Sequence, residues 1–308
     1  MSGPNPRGER GAALIIAMLI TAIATVLAAD LVWERDLDFR RTSGLLAQDE
    51  AFQYALGAEG WAMRILKEDA EDNQYDHPGE EWAMQLPPLP FPGGTIQGQM
   101  FDLQGRFNLN TLRDGNGATN PEAVEQFRRL LQALQLNPRL AGLAADWVDE
   151  DVQANFPDGA EDGQYLGFDP PYRTANVPVS SVSDLFYLGE IDLDGYRLLR
   201  PHVAALPGNT RINLTTTTPE VLLSLSEEVA PGDAEGVLAN RPEEGYEDLS
   251  EAAEYLPEGV LGLLGDSSRY FELRVRVDIG TQRFTMYSLL DRDPSGVVRP
   301  LRRSFNYE

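Results

Sequence analysis

A long apolar run near the amino terminus dominates the hydrophobic pattern of this chain. Within Ala12–Ala29 only Thr21 and Thr25 are polar, and Asp30 is the first charge that follows. A helix needs about 20 apolar residues to cross the hydrocarbon core of a bilayer. We therefore expect a membrane-spanning helix over residues 12–33.

Helical periodicity continues beyond the apolar run. Apolar residues at spacings of 7, 4, 7 and 3 share one helical face, namely Leu45, Phe52, Leu56, Met63 and Leu66. The simplest interpretation is one long helix whose second half packs on a soluble domain. The alternative is two helices that separate near Thr42, Ser43 and Gly44.

Strand patterns occur at two places that are far apart in the chain. After an acidic, Pro-rich stretch at 69–94, which we predict to be a loop, residues 95–112 alternate around Gln104 and Gly105 and predict a hairpin. Near the carboxyl end, 270–279, 283–290 and 297–307 predict a three-stranded antiparallel meander with one polar face. The long helix would cover its other face.

Helix start signals fill the region between these strands. Asn120 and Pro121 fit an N-cap and a first helical position, and Ser181 with Asp184 fits a capping box. A short internal repeat relates 106–111 to 211–216, each followed by a cap-Pro-Glu helix start, although chance similarity is an alternative. The predicted fold is therefore α+β, with helical units inserted into one domain.

Composition narrows the possible functions. The 308 residues carry a formal charge of −24 and contain no Cys. Such a surface repels nucleic acid, and disulfide or thiol chemistry is excluded. His77 and His202 are far apart, and no nucleophile or Walker motif is present. We expect a protein that is not an enzyme, with a membrane-anchored envelope hydrolase as an alternative.

An acidic, Gly/Pro-rich segment is the strongest candidate site. Its carboxylates are Asp149, Asp151, Asp158, Glu161, Asp162 and Asp169. Crowded carboxylates repel one another unless a cation neutralises them, and irregular loops supply the carboxylate and carbonyl oxygens that Ca²⁺ prefers. The spacing does not match an EF-hand. A solvated acidic loop without a metal is the alternative.

Several motifs together resemble one family, the minor pseudopilin K proteins of type II secretion. Arg10 and Gly11 stand directly before the apolar run, where prepilin-like leaders end. The other motifs are Asp-Leu-Gln-Gly-Arg-Phe-Asn-Leu-Asn at 102–110, Asp-Trp-Val-Asp at 146–149, Gly-Ala-Glu-Asp at 159–162, Pro-Pro-Tyr-Arg at 170–173 and Arg-Ile-Asn-Leu at 211–214. An ordinary signal anchor is the alternative for the leader alone.

The resemblance implies processing and assembly. A prepilin peptidase would cut between Gly11 and Ala12, with methylation of the new terminus, and Ile16 would occupy the position where most pseudopilins carry Glu. It also implies a pseudopilin fold, calcium in the helical insertion, and assembly with minor pseudopilins I and J at the pseudopilus tip. Arg7 and Arg10 favour a cytoplasmic amino terminus, so an inner-membrane protein with a periplasmic bulk is expected.

The expected domain organisation follows from these patterns. Residues 1–11 form the leader and 12–33 the transmembrane part of the helix. The remaining segments are 34–112 for the first part of the pseudopilin domain, 113–207 for a first, SAM-like inserted unit, 208–265 for a second inserted unit, and 266–308 for the carboxyl-terminal strands. The expected function is to cap the tip and help initiate pseudopilus assembly. An exoprotein-binding module at the tip is the alternative.

Overall fold

The fold is known from a computed structural model that describes residues 7–246 and 249–305, with side chains from residue 13 onwards except at 253 and 258. Its α-helices are α1 Arg7–Asp72, α2 Pro121–Ala133, α3 Leu140–Val148, α4 Asp162–Tyr165, α5 Leu193–Leu199, α6 Pro219–Ser224, α7 Pro231–Ala239 and α8 Glu258–Leu261. Its strands are β1 Leu89–Phe91, β2 Gly94–Asp102, β3 Phe107–Asn108, β4 Val203–Ala204, β5 Ile212–Asn213, β6 Leu264–Gly265, β7 Tyr270–Ile279, β8 Gln282–Arg292 and β9 Val298–Phe305. Short 3-10 helices lie at Glu81–Ala83, Leu109–Leu112, Val182–Leu188, Arg200–His202 and Leu249–Glu254.

Helix α1 runs unbroken for 66 residues. The predicted single helix is confirmed, and the alternative break near Gly44 is wrong because this glycine lies inside the helix. Within Ala13–Asp72 an 18-residue window reaches a mean hydropathy of 2.4 with none of it buried, so this helix is long and apolar enough to cross a membrane. Its second half instead buries small residues, Ala51, Ala55 and Ala62, against a sheet.

The sheet has five antiparallel strands in the order β1-β2-β7-β8-β9. The face under α1 buries Leu273, Val275, Val277 and Met286. Along β9 exposed and half-buried residues alternate, as expected for an edge strand with one solvated face. The predicted carboxyl-terminal meander, covered on one face by the long helix, is therefore confirmed.

The hairpin predicted at 95–112 is wrong. Strand β2 pairs along its whole length with β7, from Gly94 opposite Ile279 to Asp102 opposite Phe271. Strand β3 leaves this sheet and pairs in parallel with β4. Alternation predicts that a strand exists but not which strand it joins, and here the partner lies beyond the whole helical insertion.

The loop predicted at 69–94 is partly wrong. Helix α1 continues to Asp72, and β1 forms within the Pro-rich part, where Pro90 lies opposite Thr95 of β2. Strand β1 is one of the two edge strands of the sheet. Proline is tolerated at an edge because its missing N–H removes no hydrogen bond to a further strand.

The internal repeat is confirmed as a structural repeat. Strand β3 pairs in parallel with β4, and β5 pairs in parallel with β6. The side chains of Asn108 and Asn213 accept hydrogen bonds from the backbone N–H two residues later, at 3.1 and 2.9 Å. The helices α2 and α6 then start at Pro121 and Pro219. Both copies contribute to one apolar core, from Phe107 through Leu264.

Candidate metal centre

The acidic segment begins where α3 ends. All nine residues of this helix are buried, including Asp146, and the next acidic residue, Asp149, is 0% exposed. An apolar helix of this kind can bury a carboxylate only if other groups satisfy it. Asn155 donates to Asp146 from its backbone N–H at 3.1 Å and from its amide at 2.6 Å. Thr119 donates to Asp149 at 2.6 Å.

These hydrogen bonds hold a tight loop against the helix. Asn155 also donates to the hydroxyl of Thr119 at 2.7 Å, so one side chain links both supports. A Cβ at Gly159 would lie 2.2 Å from Asp146 Oδ2, which is too close for any other residue. The glycine is therefore required for the loop to approach α3, and the buried acid positions the loop.

Three of the predicted carboxylates converge. One oxygen each from Asp149, Asp151 and Glu161 can be chosen so that all lie within 4.8 Å of one another. Asp149 is buried, Glu161 half-buried and Asp151 exposed. Asp149 Oδ1 and both carboxylate oxygens of Glu161 are buried without a hydrogen-bond partner. Buried polar atoms without a partner are uncommon and indicate an unfilled requirement for a donor or a cation.

Electrostatics agree with this geometry. The pKa of Asp149 is raised to about 6, chiefly by burial and also by repulsion from Asp146 and Asp151, although the hydrogen bond from Thr119 opposes the change. Burial likewise raises the pKa of Glu161 to about 7, with repulsion from neighbouring aspartates in the same direction, although the nearby Thr174 hydroxyl opposes the change. The negative charges at this site are thus poorly compensated by the protein. A hard cation with oxygen ligands, such as Ca²⁺, fits the donor set.

The structure does not bring the other three predicted ligands into the cluster. Asp158 lies 3.3 Å from Arg128. Asp162 accepts from the backbone N–H of Thr174 at 3.1 Å and lies 3.5 Å from Arg173. Asp169 is exposed. Each is acidic and close in sequence to the cluster, but two face arginines of the chain itself.

Supporting residues were missed at the sequence level. Thr119 and Asn155 hold the buried acids, and Asn176 donates to the carbonyl oxygen of Asp151 at 2.5 Å while its own Oδ1 is buried without a partner. Asn176 adopts a positive φ of 50°, which Asn tolerates better than most residues. An Asn inside an acidic Gly/Pro segment was the available signal, but polar residues are common in loops.

A second acidic cluster contains Asp69, Asp76 and Glu80. Here the guanidinium of Arg292 supplies the positive charge that a metal ion would otherwise provide, at 2.7 Å from Asp69 and 2.5 Å from Asp76. Glu80 accepts from the Trp82 indole at 2.6 Å. The carboxylates of this cluster already have donors from the protein, so it is an ion-pair network that joins the end of α1 to the sheet.

The predicted processing site lies at the margin of the described region. The backbone at Gly11 and Ala12 is helical and part of α1, while the side chains there and all of residues 1–6 lie outside the described residues. Ile16 is 57% exposed on the apolar half of the helix. The peptidase cleavage stays a prediction.

Comparisons with known proteins place these features in context. Two family models, both described as type II secretion system protein K, match residues 105–208 and 212–262. The type II secretion system protein K of Pseudomonas aeruginosa is 34% identical over 96% of this chain and 93% of its own length. That of Aeromonas hydrophila is 31% identical over 97% of this chain and 98% of its own length.

A solved structure is also similar. It is the GspK-GspI-GspJ complex from the type 2 secretion system of enterotoxigenic Escherichia coli, of which one chain matches with a TM-score of 0.79 and 27% identity. The match covers 87% of this chain and 100% of that chain.

Proposed function

Because this chain belongs to the type II secretion system protein K family of minor pseudopilins, we propose that it caps the tip of the pseudopilus and helps initiate its assembly. The observation that carries the proposal is the uncharged Ile16 on the exposed apolar face of α1. In pilin-like fibres a Glu at this position would pair with the terminal amine of the subunit ahead. A subunit with no neighbour ahead has no such amine to neutralise.

The bulk of the insertion supports the same position. Residues between β2 and β7 form helical units with their own apolar core, separate from the core under α1. A fibre interior requires a slim profile around the helix, and the tip has free space. We propose two inserted units, at 113–207 and 208–265, that project away from the pseudopilin domain.

The proposed partners are minor pseudopilins I and J. The related Escherichia coli structure is a GspK-GspI-GspJ complex, which supports equivalent partners for this chain. We place their contacts on α1 and the sheet. Processing by prepilin peptidase between Gly11 and Ala12 would release the helix, and the chain would stay in the inner membrane with its bulk in the periplasm until assembly.

No enzymatic activity is part of this proposal, and the relatives are named as secretion-system components. For the acidic cluster we propose a structural Ca²⁺ bound through Asp149, Asp151 and Glu161. The unpartnered buried oxygens of Asp149 and Glu161 support it. The ion would supply the positive charge that the protein does not, and would fix the loop after α3 on the helical insertion.

The test of tip placement restores the charge. Ile16→Glu places a carboxylate at the position that directs subunit addition. Ile15→Glu is the matched control, because it places a carboxylate in the lipid at the neighbouring position, at the same cost in free energy. We expect Ile16→Glu to weaken pseudopilus assembly or the capping of its tip more than Ile15→Glu does, as measured by the number and length of isolated fibres, while immunogold labels on the insertion locate the subunit. Wild-type chain should label one end. Even labelling of fibres by the wild-type chain would contradict the proposal.

A further inference from the structure

A small positive crevice lies where the first inserted unit meets the sheet. It encloses about 40 Å³. Its charged lining consists of Arg106 before β3, Arg200 after α5, Arg302 on β9 and Glu272 on β7. The crevice thus has three basic side chains and one acidic one. The whole chain has the opposite balance, with 49 acidic and 25 basic residues.

The carboxylate of Glu272 is already paired with a fourth arginine. It accepts a hydrogen bond from Nε of Arg274, whose guanidinium also lies 4.2 Å from the ring centre of Phe101. Within the described residues no hydrogen bond or salt bridge reaches the guanidinium of Arg106 or Arg200, although both side chains are partly buried. Arg302 donates to the carbonyl oxygen of Ser180, which ties β9 to the inserted unit.

The surroundings of Arg106 disfavour the positive charge of its guanidinium. Burial lowers the pKa of Arg106 and the charges of Arg274 and Arg200 act in the same direction, while the charges of Glu272 and Asp102 oppose the change. Arginine nevertheless stays protonated in proteins, so its five N–H donors still require acceptors. A partly buried guanidinium that no acceptor hydrogen-bonds is unfavourable for the fold.

The internal repeat shows that this burial is not required by the fold. Arg211 occupies the position in the second copy that Arg106 occupies in the first, directly before the short parallel strand. Arg211 is exposed, so water can satisfy its donors. The two copies share a backbone arrangement but differ in what surrounds the arginine. The crevice at Arg106 is therefore a local feature with its own cause.

We propose that this crevice binds one carboxylate group between the guanidinium groups of Arg106 and Arg200. A cavity of this kind holds one water molecule from about 10–15 Å³ upwards, so about 40 Å³ admits a group somewhat larger than a single water. A planar carboxylate matches the fork of donors on an arginine. Since Arg302 and Glu272 belong to the sheet and Arg200 to the insertion, the bound group would join the two parts.

The carboxylate could come from a free ion or from an acidic side chain of a bound protein. The test uses the full chain in detergent micelles and ¹³C-formate as the probe, with the line width of the formate carbon as the readout. We expect saturable broadening by the wild-type chain. Arg106→Met should weaken binding by about tenfold or more, as loss of charge-assisted hydrogen bonds predicts. Arg211→Met is the matched control and should bind like the wild type.

A second arm distinguishes the sources. A blocked peptide with one Glu competes with formate if the crevice admits side chains, and the same peptide with Gln does not. Competition by the Glu peptide assigns the site to an acidic chain, and formate binding without competition assigns it to a free ion. Equal broadening by the wild type and Arg106→Met, or no broadening by either, overturns the proposal. In that case water alone solvates Arg106.

Discussion

The two acidic clusters of this protein have similar carboxylates and different surroundings. At the end of α1, Asp69 and Asp76 face the guanidinium of Arg292, which also donates to the carbonyl oxygen of Ser268 at 2.8 Å. After α3, Asp149 and Glu161 have buried oxygens without any partner. An acidic cluster thus indicates a bound cation where no basic side chain of the protein pairs with it. Where such a side chain does pair with it, the cluster connects two parts of the fold.

Perturbed pKa values do not separate the two clusters. Burial raises the pKa of Asp76 to about 7 even though Arg292 opposes it, and burial raises the pKa of Glu161 to about 7 as well. Desolvation acts on any buried carboxylate, whether or not a cation is nearby. The two clusters differ in whether each carboxylate oxygen has a hydrogen-bond partner. Substitutions can test this difference in one cluster at a time.

The largest expected effect comes from removing the cation of the first cluster. Arg292→Met leaves Asp69 and Asp76 buried without their partner, and breaking a buried pair in this way costs about 3–5 kcal/mol. We expect the free energy of unfolding of the soluble part, measured by urea titration of the full chain in detergent, to fall by that order.

The matched control is Arg276→Met on the exposed face of the sheet. Arg276 lies 2.8 Å from Asp278, and its side chain is 45% exposed. Exposed ion pairs contribute about 0–1 kcal/mol. If both variants lost the same small amount of stability, the first cluster would not be the joint that the geometry indicates.

Calcium should act on the second cluster alone. A ligand that binds the folded state at 100 times its dissociation constant adds about 2.7 kcal/mol of stability. We expect the melting temperature of metal-free protein to rise with Ca²⁺ and to fall again with chelator. Asp149→Asn and Glu161→Gln should abolish most of this rise. An unchanged melting curve in the wild type would refute the metal site.

Two control variants sharpen this test. Asp76→Asn changes the other cluster and should lower stability while it keeps the full calcium response. Asp162→Asn changes a carboxylate that was predicted as a ligand but that bonds the backbone of Thr174. Asp162→Asn should therefore keep most of the response. A response lost in Asp162→Asn would return that residue to the ligand set.

The sequence predicted the parts of the fold that depend on local pattern. Helix α1 and the strands β7 to β9 show their periodicity over eight or more neighbouring residues, so each could be recognised by itself. The pairing of β2 with β7 could not, because it depends on residues on either side of the insertion. Proline signals favoured a loop where β1 forms an edge strand.

The candidate site was predicted in outline for the same reason. Nearness in sequence gathered six carboxylates, and three of them converge. Asp158 instead pairs with Arg128 of α2, and no local pattern shows that contact. Likewise Arg292 meets Asp76 across 216 residues of sequence. Whether a charge is neutralised is a property of the tertiary structure.

The smallest effect we predict is a dependence on pH that separates the clusters once more. In metal-free protein the pKa of Glu161 is raised from 4.5 to about 7, and that of Asp149 from 3.8 to about 6. Between the ordinary and the raised pKa values the folded state binds more protons than the unfolded state. The free energy of unfolding therefore falls as pH rises from about 4 to about 7.

Calcium should remove this dependence, because a bound cation favours the ionised carboxylates and lowers their pKa values. We therefore expect unfolding curves measured between pH 4 and 7 to show a larger loss of stability with rising pH in chelator than in Ca²⁺, where the raised pKa of Asp76 still contributes a loss. Glu161→Gln should flatten the curve in chelator, since it removes the group with the more strongly raised pKa. Asp76 stays paired with Arg292 with or without Ca²⁺. Its contribution to the pH dependence of stability is therefore the same in both conditions and cancels when the two curves are subtracted. A difference between the two curves that persists unchanged in Glu161→Gln would show that calcium acts elsewhere.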